Sequence, residues 1–267
     1  MRRGLVTGAA AVALSALMAV GAARAFVIAT TEGGDFKRWF QRGVLPFHLS
    51  TVTPEEVDPT LLESIMQTAF DAWTDTPCGT VPEVAYAGTS GATGPTTPLI
   101  GDGAPDNVVV FIRSRGEWQR LGLSPTYIAI TLVAADGDSG EIVDADMLVN
   151  DGGFNFSDSE EAPADGRVDL RSVVTHEVGH FFGMDHSADV EATMYPDYSK
   201  SSDGPTAART LAQDDIDGVC TDYTDVPLHA TAEDRKDGGG CCAGGAAELV
   251  GLAGLFGRAA RRRRRAL

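Results

Sequence analysis

Basic residues are scarce in the body of this 267-residue chain. Nine of its 21 lysines and arginines lie in the first 24 or the last ten residues, so that residues 26–257 carry 12 basic and 38 acidic side chains, a net charge of −26. A surface this acidic argues against nucleic acid or an anionic membrane as the partner, because both are polyanions. It suits a protein that works outside the cell.

Cysteines are also few, and the chain contains no internal repeat. Four are present: Cys78, Cys220, Cys241 and Cys242. Adjacent cysteines pair only with strain, so Cys78–Cys220 is the expected bridge and would tie the start of a domain to its end. With 43% hydrophobic and 22% charged residues, we expect one medium-sized domain with appendages, or at most two small domains.

The N-terminus has the layout of a secretory signal peptide. Met1 to Arg3 is basic, residues 5–20 are apolar and rich in alanine, and Ala23 to Ala25 forms an A-x-A cleavage site. A membrane anchor is the alternative, but the apolar run is short and ends in small residues. We therefore expect secretion, with a mature chain that begins near Phe26.

Hydrophobic periodicity predicts a mixed α/β arrangement around one sheet. Strands are expected at 46–49, 84–87, 107–112, 127–133 and 142–149, and helices at 53–73, 170–182 and 207–219. Thr53 is the expected N-cap of the first helix, because Pro54 suits the first turn and Glu56 follows three residues after the cap.

The most informative segment runs from His176 to His186 and reads HEVGHFFGMDH. His176 and His180 are one turn apart on a predicted helix, so that their imidazoles share a face and can bind one metal ion. Gly183 lets the helix end and the chain turn, and His186 then arrives as a third ligand. Three histidines leave a fourth position for water, which is the arrangement of a catalytic zinc site.

Glu177 supplies the carboxylate that hydrolysis at such a site needs. Zinc lowers the pKa of a bound water toward ~7 and polarises a substrate carbonyl. Glu177 would take the water proton and pass it to the leaving amine. The alternative is a helix with two surface histidines, but the pattern fixes five positions and holds three of the chain's five histidines.

The segment from Thr175 to Ser187 resembles the signature of the metzincin zinc peptidases, and Ser187 is similar to the serine of the matrixin (matrix metalloproteinase-like) branch. Downstream, Met194 resembles the methionine of the matrixin Met-turn. Pro196 and Tyr198 resemble residues that line the pocket for the substrate residue after the scissile bond in that family.

This resemblance is strong over residues 170–220 and implies an α+β, zincin-like fold. Such a fold has a twisted, mostly parallel five-stranded sheet, three helices and an active-site cleft at the motif helix. The resemblance also implies a zinc endopeptidase that hydrolyses proteins or peptides, with the substrate extended along an edge strand within 128–132 or within 142–148. The residues it assigns to one catalytic Zn²⁺ and to catalysis are His176, His180, His186 and Glu177.

Two features of animal matrixins are missing, which suggests a minimal, bacterial form. Outside the motif the histidines are His48 and His229, too few for the second, structural zinc of that group. About twenty residues separate Phe26 from the first predicted strand, too few for an inhibitory propeptide. Residues 77–79 faintly resemble the blocking motif of that propeptide, but their place inside the domain favours the disulfide for Cys78.

The sequence also allows Ca²⁺, which prefers carboxylate oxygens. Two acidic clusters are candidates: Asp136, Asp138, Glu141, Asp144 and Asp146, and then Asp158, Glu160, Glu161, Asp165 and Asp169. Neither has the spacing of an EF-hand, and solvated acidic loops are the alternative.

The C-terminal end resembles bacterial sorting tags of the myxobacterial and GlyGly types. A Gly/Cys segment at 238–242 precedes a mildly apolar stretch and an arginine cluster at 261–265. The resemblance implies attachment to the outer membrane or cell surface, and a disordered basic tail is the alternative. The expected division is a signal peptide at 1–25, a catalytic domain at 26–222, a linker at 223–240 and a tag at 241–267.

The main hypothesis is therefore a secreted or surface-held zinc endopeptidase that acts as a monomer. A surface binding or adhesion protein that keeps the fold without turnover is the alternative, and the presence of Glu177 argues against it. A maturation protease with one dedicated partner is also consistent with the sequence.

Overall fold

The computed structural model describes residues 24–40, 43–96, 106–163, 166–200, 204–224 and 248–251. The predicted signal peptide up to residue 23, most of the linker, Cys241, Cys242 and the arginine cluster lie outside the described residues. No helix in the described part of the chain has the length and hydrophobicity needed to cross a bilayer.

Ten strands and four α-helices are present in the described ranges. The strands are β1 (Val27–Ile28), β2 (Leu45–Ser50), β3 (Val84–Ser90), β4 (Val108–Phe111), β5 (Ala129–Ala135), β6 (Ile142–Val149), β7 (Phe156–Ser157), β8 (Val168–Asp169), β9 (Met184–Asp185) and β10 (Glu248–Gly251). The helices are α1 (Leu62–Thr74), α2 (Arg115–Arg120), α3 (Leu170–Phe181) and α4 (Gln213–Tyr223).

The main sheet has the strand order β10-β5-β6-β4-β2-β3. Strand β2 pairs in parallel with β3 and β4, and β4 pairs in parallel with β6. Strands β5 and β10 are antiparallel to their neighbours. The mostly parallel sheet agrees with the expected fold, but it has one strand more than the five implied by the resemblance, because β10 was not foreseen.

Two apolar layers cover the sheet. Alternate residues of β4 point to opposite faces, so that Val109 and Phe111 join the main core while Val108 and Val110 join a smaller cluster on the other side. Helices α1 and α3 form the main core with the sheet. The short helix α2, which the sequence analysis did not predict, contributes Trp118 to the smaller cluster. Burial on both faces explains the continuous apolar run of β4.

The first helix begins later than predicted. Residues Pro59–Leu61 form a 3-10 turn, and α1 starts at Leu62, so the assignment of Thr53 as its N-cap was wrong. Asp58 caps the 3-10 turn that leads into α1, because its carboxylate accepts the Thr60 backbone N–H at 2.9 Å. Pro59 cannot donate a helical hydrogen bond and disfavours helical backbone at the residue before it, which prevents a longer helix.

The last helix is also displaced from its predicted span of 207–219. Residues Ala207–Arg209 form a separate 3-10 turn, and α4 starts at Gln213. The carboxylate of Asp215 accepts the Ala212 N–H at 2.9 Å and sets this start. Near the end of α4, Cys220 forms the predicted disulfide with Cys78, across a sequence separation of 142 residues.

Candidate metal centre and cleft

Helix α3 carries His176, Glu177 and His180 and is fixed at its N-terminus by Asp169. The Asp169 carboxylate accepts the Ser172 N–H at 2.8 Å as an N-cap. Arg209 donates to the same carboxylate from Nε at 3.0 Å and from Nη2 at 2.6 Å. This buried two-point contact anchors the helix two turns before the first histidine.

The chain turns sharply at Gly183, directly after α3. Its φ is +86°, and a Cβ atom at this position would lie 1.8 Å from the Lys37 carbonyl oxygen, so only glycine fits. The turn brings His186 back to the helix. Ring centroids are 4.9 Å apart for His176 and His180, 5.4 Å for His176 and His186, and 4.9 Å for His180 and His186.

Backbone carbonyls determine which nitrogen of two of these histidines is free. His176 Nδ1 lies 2.6 Å from the Thr193 carbonyl oxygen, and His180 Nδ1 lies 2.8 Å from that of Met184. Because a carbonyl only accepts, both Nδ1 atoms donate, and the Nε2 atoms keep their lone pairs. Those two Nε2 atoms are 3.2 Å apart.

The electrostatics favour neutral imidazoles. Burial, followed by the neighbouring histidines, lowers the pKa of His176 well below its usual value. Burial first, and then His186, lowers the pKa of His180 to about 3. His186 Nε2 is buried without a hydrogen-bond partner, and candidate ligand atoms of the three residues lie within 4.8 Å of one another. Three neutral nitrogens converging on one point fit the ligand set of a zinc ion.

Glu177 is fully buried beside this cluster. Its Oε2 accepts a hydrogen bond from Thr131 Oγ1 at 2.7 Å, and its Oε1 has no partner. Burial raises its pKa to about 8, and the Thr131 hydrogen bond opposes this only in part. The site therefore contains a carboxyl group tuned to exchange a proton near neutral pH, with one oxygen atom available.

Met194, which the resemblance assigns to the Met-turn, packs against α3 at Gly179. Gly179 leaves room for it, because a Cβ atom there would be 2.2 Å from Met194 Sδ and 2.6 Å from Trp73 Cζ2. The Asp215 carboxylate accepts the backbone N–H groups of Thr193 at 2.7 Å and Met194 at 3.0 Å. Thr193 in turn holds His176, so α4 supports a metal-ligand candidate through one intervening residue.

A pocket of about 430 Å³, open to solvent, lies next to His176. Two residues were predicted to line a substrate pocket. Tyr198 lines this one, whereas Pro196 is not among the described residues that line it. Tyr198 is fixed in place, because its hydroxyl accepts the Asp169 N–H at 2.8 Å. Burial raises the pKa of Tyr198 to about 12, so the hydroxyl stays protonated.

The structure distinguishes the two candidate substrate strands. Strand β6 lies inside the sheet between β5 and β4, so its backbone is already paired on both sides. Strand β5 carries Thr131, the residue in contact with Glu177, and its outer side is paired only with the four residues of β10. The region within 128–132 is thus the edge beside the cluster.

The described members of the two acidic clusters do not bring three candidate ligand atoms together, and Asp165 of the second cluster lies outside the described residues. Among the described residues, the histidine trio alone brings three candidate ligand atoms together. In the first cluster, Asp146 accepts hydrogen bonds from Thr96 and from the Val108 N–H. In the second cluster, Asp169 forms an ion pair with Arg209, and Glu160 Oε1 lies 2.6 Å from Arg171 Nη2.

Part of this chain is similar to known metalloproteinases. Residues 131–224 match the family model Peptidase_M10: Matrixin. Metalloendoproteinase 1 of Glycine max is 45% identical over 62 residues, which is 23% of this chain and 19% of that protein. Interstitial collagenase of Oryctolagus cuniculus is 38% identical over 91 residues, or 33% of this chain and 18% of that protein. Stromelysin-1 of Rattus norvegicus is 42% identical over 73 residues, or 27% and 15%.

The chain therefore spans less than a fifth of the length of these relatives. The matched region nevertheless contains the histidine cluster, Glu177, Met194 and the pocket residue Tyr198. It begins at Thr131, the residue that contacts the glutamate. The match supports a matrixin-like metallopeptidase region.

Sequence reasoning missed several residues that shape this region. Thr131 reads as an ordinary strand threonine, although its position on the edge nearest α3 makes it the partner of Glu177. The pair of Asp169 and Arg209 joins positions 40 residues apart. Asp169 directly before the predicted helix was the available signal, because aspartate is a common N-cap.

Proposed function

We propose that this protein is a secreted zinc-dependent endopeptidase of the matrixin type. The observation that carries the proposal is the convergence of three histidines, two buried on α3 and the half-buried His186 after it, with the buried Glu177 of the same helix. The similarity of residues 131–224 to the matrixin family model supports the same reading. Secretion rests on the signal-peptide pattern, and surface attachment rests on the pattern of the C-terminal residues.

His176, His180 and His186 would hold the zinc ion. When bound, zinc supplies a Lewis acid that activates water and polarises the carbonyl of the scissile peptide bond. Oε1 of Glu177 is the oxygen free to take a proton from water and return it to the leaving amine. The buried setting that raises the pKa of this carboxyl to about 8 suits both halves of that transfer.

The substrate is proposed to be an extended polypeptide. Strand β5 offers backbone groups along the edge next to Glu177, and the pocket beside His176 can take one side chain. A monomer is sufficient, because all proposed groups come from one chain. Calcium has no cluster comparable to the histidine trio among the described residues, so a single Zn²⁺ is the proposed cofactor.

The decisive variant is Glu177→Ala, which removes the proposed base and leaves the three histidines in place. We expect the full chain to bind one zinc per molecule and to cleave casein. Glu177→Ala should lose cleavage by about 10²–10⁴-fold while keeping its zinc, measured by protease assay and by metal analysis. Chelation of zinc should abolish cleavage, and added zinc should restore it.

Glu63→Ala is the matched control, because Glu63 is an exposed glutamate on α1. It should behave like the unmodified protein in both assays. Casein cleavage by Glu177→Ala at the rate of Glu63→Ala would refute the proposed base. Retained zinc with no cleavage by any form of the protein would favour the alternative, a surface binding or adhesion protein.

A further inference from the structure

Strand β10 lies along the outer edge of β5 and is formed by residues far along the chain from the rest of the sheet. The two strands are antiparallel, with Leu249 opposite Leu132 and Val250 opposite Thr131. The pairing continues to Glu248 at one end and Gly251 at the other. Four residues of the C-terminal region therefore make a backbone ladder with the edge strand of the domain.

This ladder includes the residue that contacts the proposed catalytic base. Thr131, opposite Val250, contacts the Glu177 carboxylate, with 2.7 Å between Thr131 Oγ1 and Glu177 Oε2. The backbone of β10 also comes within 8 Å of α3, measured between Cα atoms. The segment thus occupies the same edge that an extended substrate needs, and it does so at the level of the proposed base.

An edge strand can pair with one chain at a time, because each outward N–H and C=O group serves one backbone partner. We propose that residues 248–251 act as an intramolecular competitor of the substrate by occupying the free edge of β5. This inference rests on the proposed peptidase function. It identifies the partner of this surface as a segment of the same chain.

The pairing of β10 with β5 is short enough to be reversible. Four paired residues form a short strand with few ladder hydrogen bonds, and short strands are individually weak. Glu248 is joined to Thr224 by the 23 intervening residues of the same chain, so the pairing of β10 with β5 is intramolecular. An intramolecular segment competes at an effective concentration that does not depend on the concentration of the protein.

The test is the double substitution Leu249→Pro and Val250→Pro in the full chain. Since alternate strand residues point their N–H groups toward the partner, replacing two consecutive residues removes at least one ladder donor. The matched control is Ala259→Pro with Ala260→Pro, which places the same two prolines in the C-terminal region but outside β10. Both proteins are compared with the unmodified chain on a fluorogenic peptide substrate.

We expect the β10 variant to lower KM by about two- to tenfold with kcat unchanged, as relief of competition requires. Backbone amides of residues 130–133 should exchange with deuterium faster than in the unmodified chain. The control variant should change neither quantity. A synthetic peptide of residues 246–253 should raise KM for the β10 variant, and a peptide of the reversed sequence should not.

Amide exchange separates this inference from the proposed function, because it does not depend on turnover. Active proteins with equal KM values, or equal exchange at residues 130–133, would overturn the competition and leave the peptidase intact. Zinc-loaded proteins that all lack cleavage would reject the peptidase and, with it, the competition.

Discussion

Asp144 is a buried carboxyl group on β6 whose charge opposes folding. Burial and then the neighbouring Asp146 raise its pKa from 3.8 to about 7. Because the folded state binds this proton more tightly than the unfolded state, the stabilisation is complete below pH 3.8 and is lost as the pH rises through about 7. At pH 8 the folded protein must hold both carboxylates in charged form.

Asp144→Asn should therefore stabilise the protein at pH 8, by an amount on the order of a few kcal/mol. The advantage over the unmodified protein should shrink toward pH 5, where Asp144 is largely protonated in the folded state. Urea denaturation at both pH values measures this difference. Asp138→Asn, at an exposed position in the preceding turn, is the control and should change stability equally at both. A stability advantage of Asp144→Asn that grows from pH 8 toward pH 5 would contradict the expected pH dependence.

At the scale of elements, the start of α4 holds the Met-turn through one side chain. Asp215 accepts backbone N–H groups from Thr193, Met194 and Ala212. Replacement by alanine would leave these groups without their acceptor, and a buried unsatisfied N–H costs about 1–3 kcal/mol. The same change would release Thr193, whose carbonyl oxygen fixes His176.

We expect Asp215→Ala to lower the free energy of unfolding by at least ~2 kcal/mol and to weaken zinc binding. Denaturant titration and competition with a zinc indicator measure the two effects. Asp217→Ala is the control, because that residue lies exposed on the same helix and its carboxylate accepts only from the Gln213 side chain among the described contacts. Unaltered zinc affinity in Asp215→Ala would show that α4 does not support the site.

Local sequence signals explain which elements could be predicted. Strand β6 was expected at 142–149 and is observed at Ile142–Val149, because a turn and an apolar pattern mark it. Helix α3 was placed within one residue of its observed end for the same reason. The predicted start of α1 was wrong because Thr53 offers a plausible cap. In the structure, Asp58 caps a 3-10 turn that begins at Pro59, and α1 follows it. Strand β10 has four residues, too few for a hydrophobic pattern to predict a strand.

In the candidate site, residues close together in the sequence could be predicted and contacts between distant residues could not. His176, Glu177, His180 and His186 fall within eleven residues, so helical geometry predicts that they meet. Thr131 comes from another strand, and its contact with Glu177 depends on how the sheet packs against α3. No periodicity in the sequence encodes such a contact. The disulfide could be predicted because Cys78 and Cys220 lie at the start and the end of the predicted domain, whereas Cys241 and Cys242 are adjacent in a glycine-rich segment after it.

At the scale of the whole molecule, the disulfide joins the end of the α1 region to the end of α4. It closes a loop of 142 residues that contains strands β3 to β6, the histidine cluster and Met194. Cross-linking so long a loop restricts the unfolded chain strongly. The double substitution Cys78→Ser with Cys220→Ser should lower the free energy of unfolding by about 2–5 kcal/mol, measured with urea.

Cys241→Ser with Cys242→Ser is the control for that experiment, because it removes two thiols without opening the loop. It should leave the midpoint of unfolding unchanged. Equal midpoints for the two double variants would mean that the cross-link does not contribute to stability.

The dependence of His176 on Thr193, and of Thr193 on Asp215, has a consequence in time as well as in space. A chain emerges from the ribosome from its N-terminus, and domains fold as units once their parts are available. The histidines leave the ribosome before the residues that orient them. Until α4 has followed, they are ordinary side chains of an unfinished polypeptide, and the nascent chain has no assembled histidine cluster.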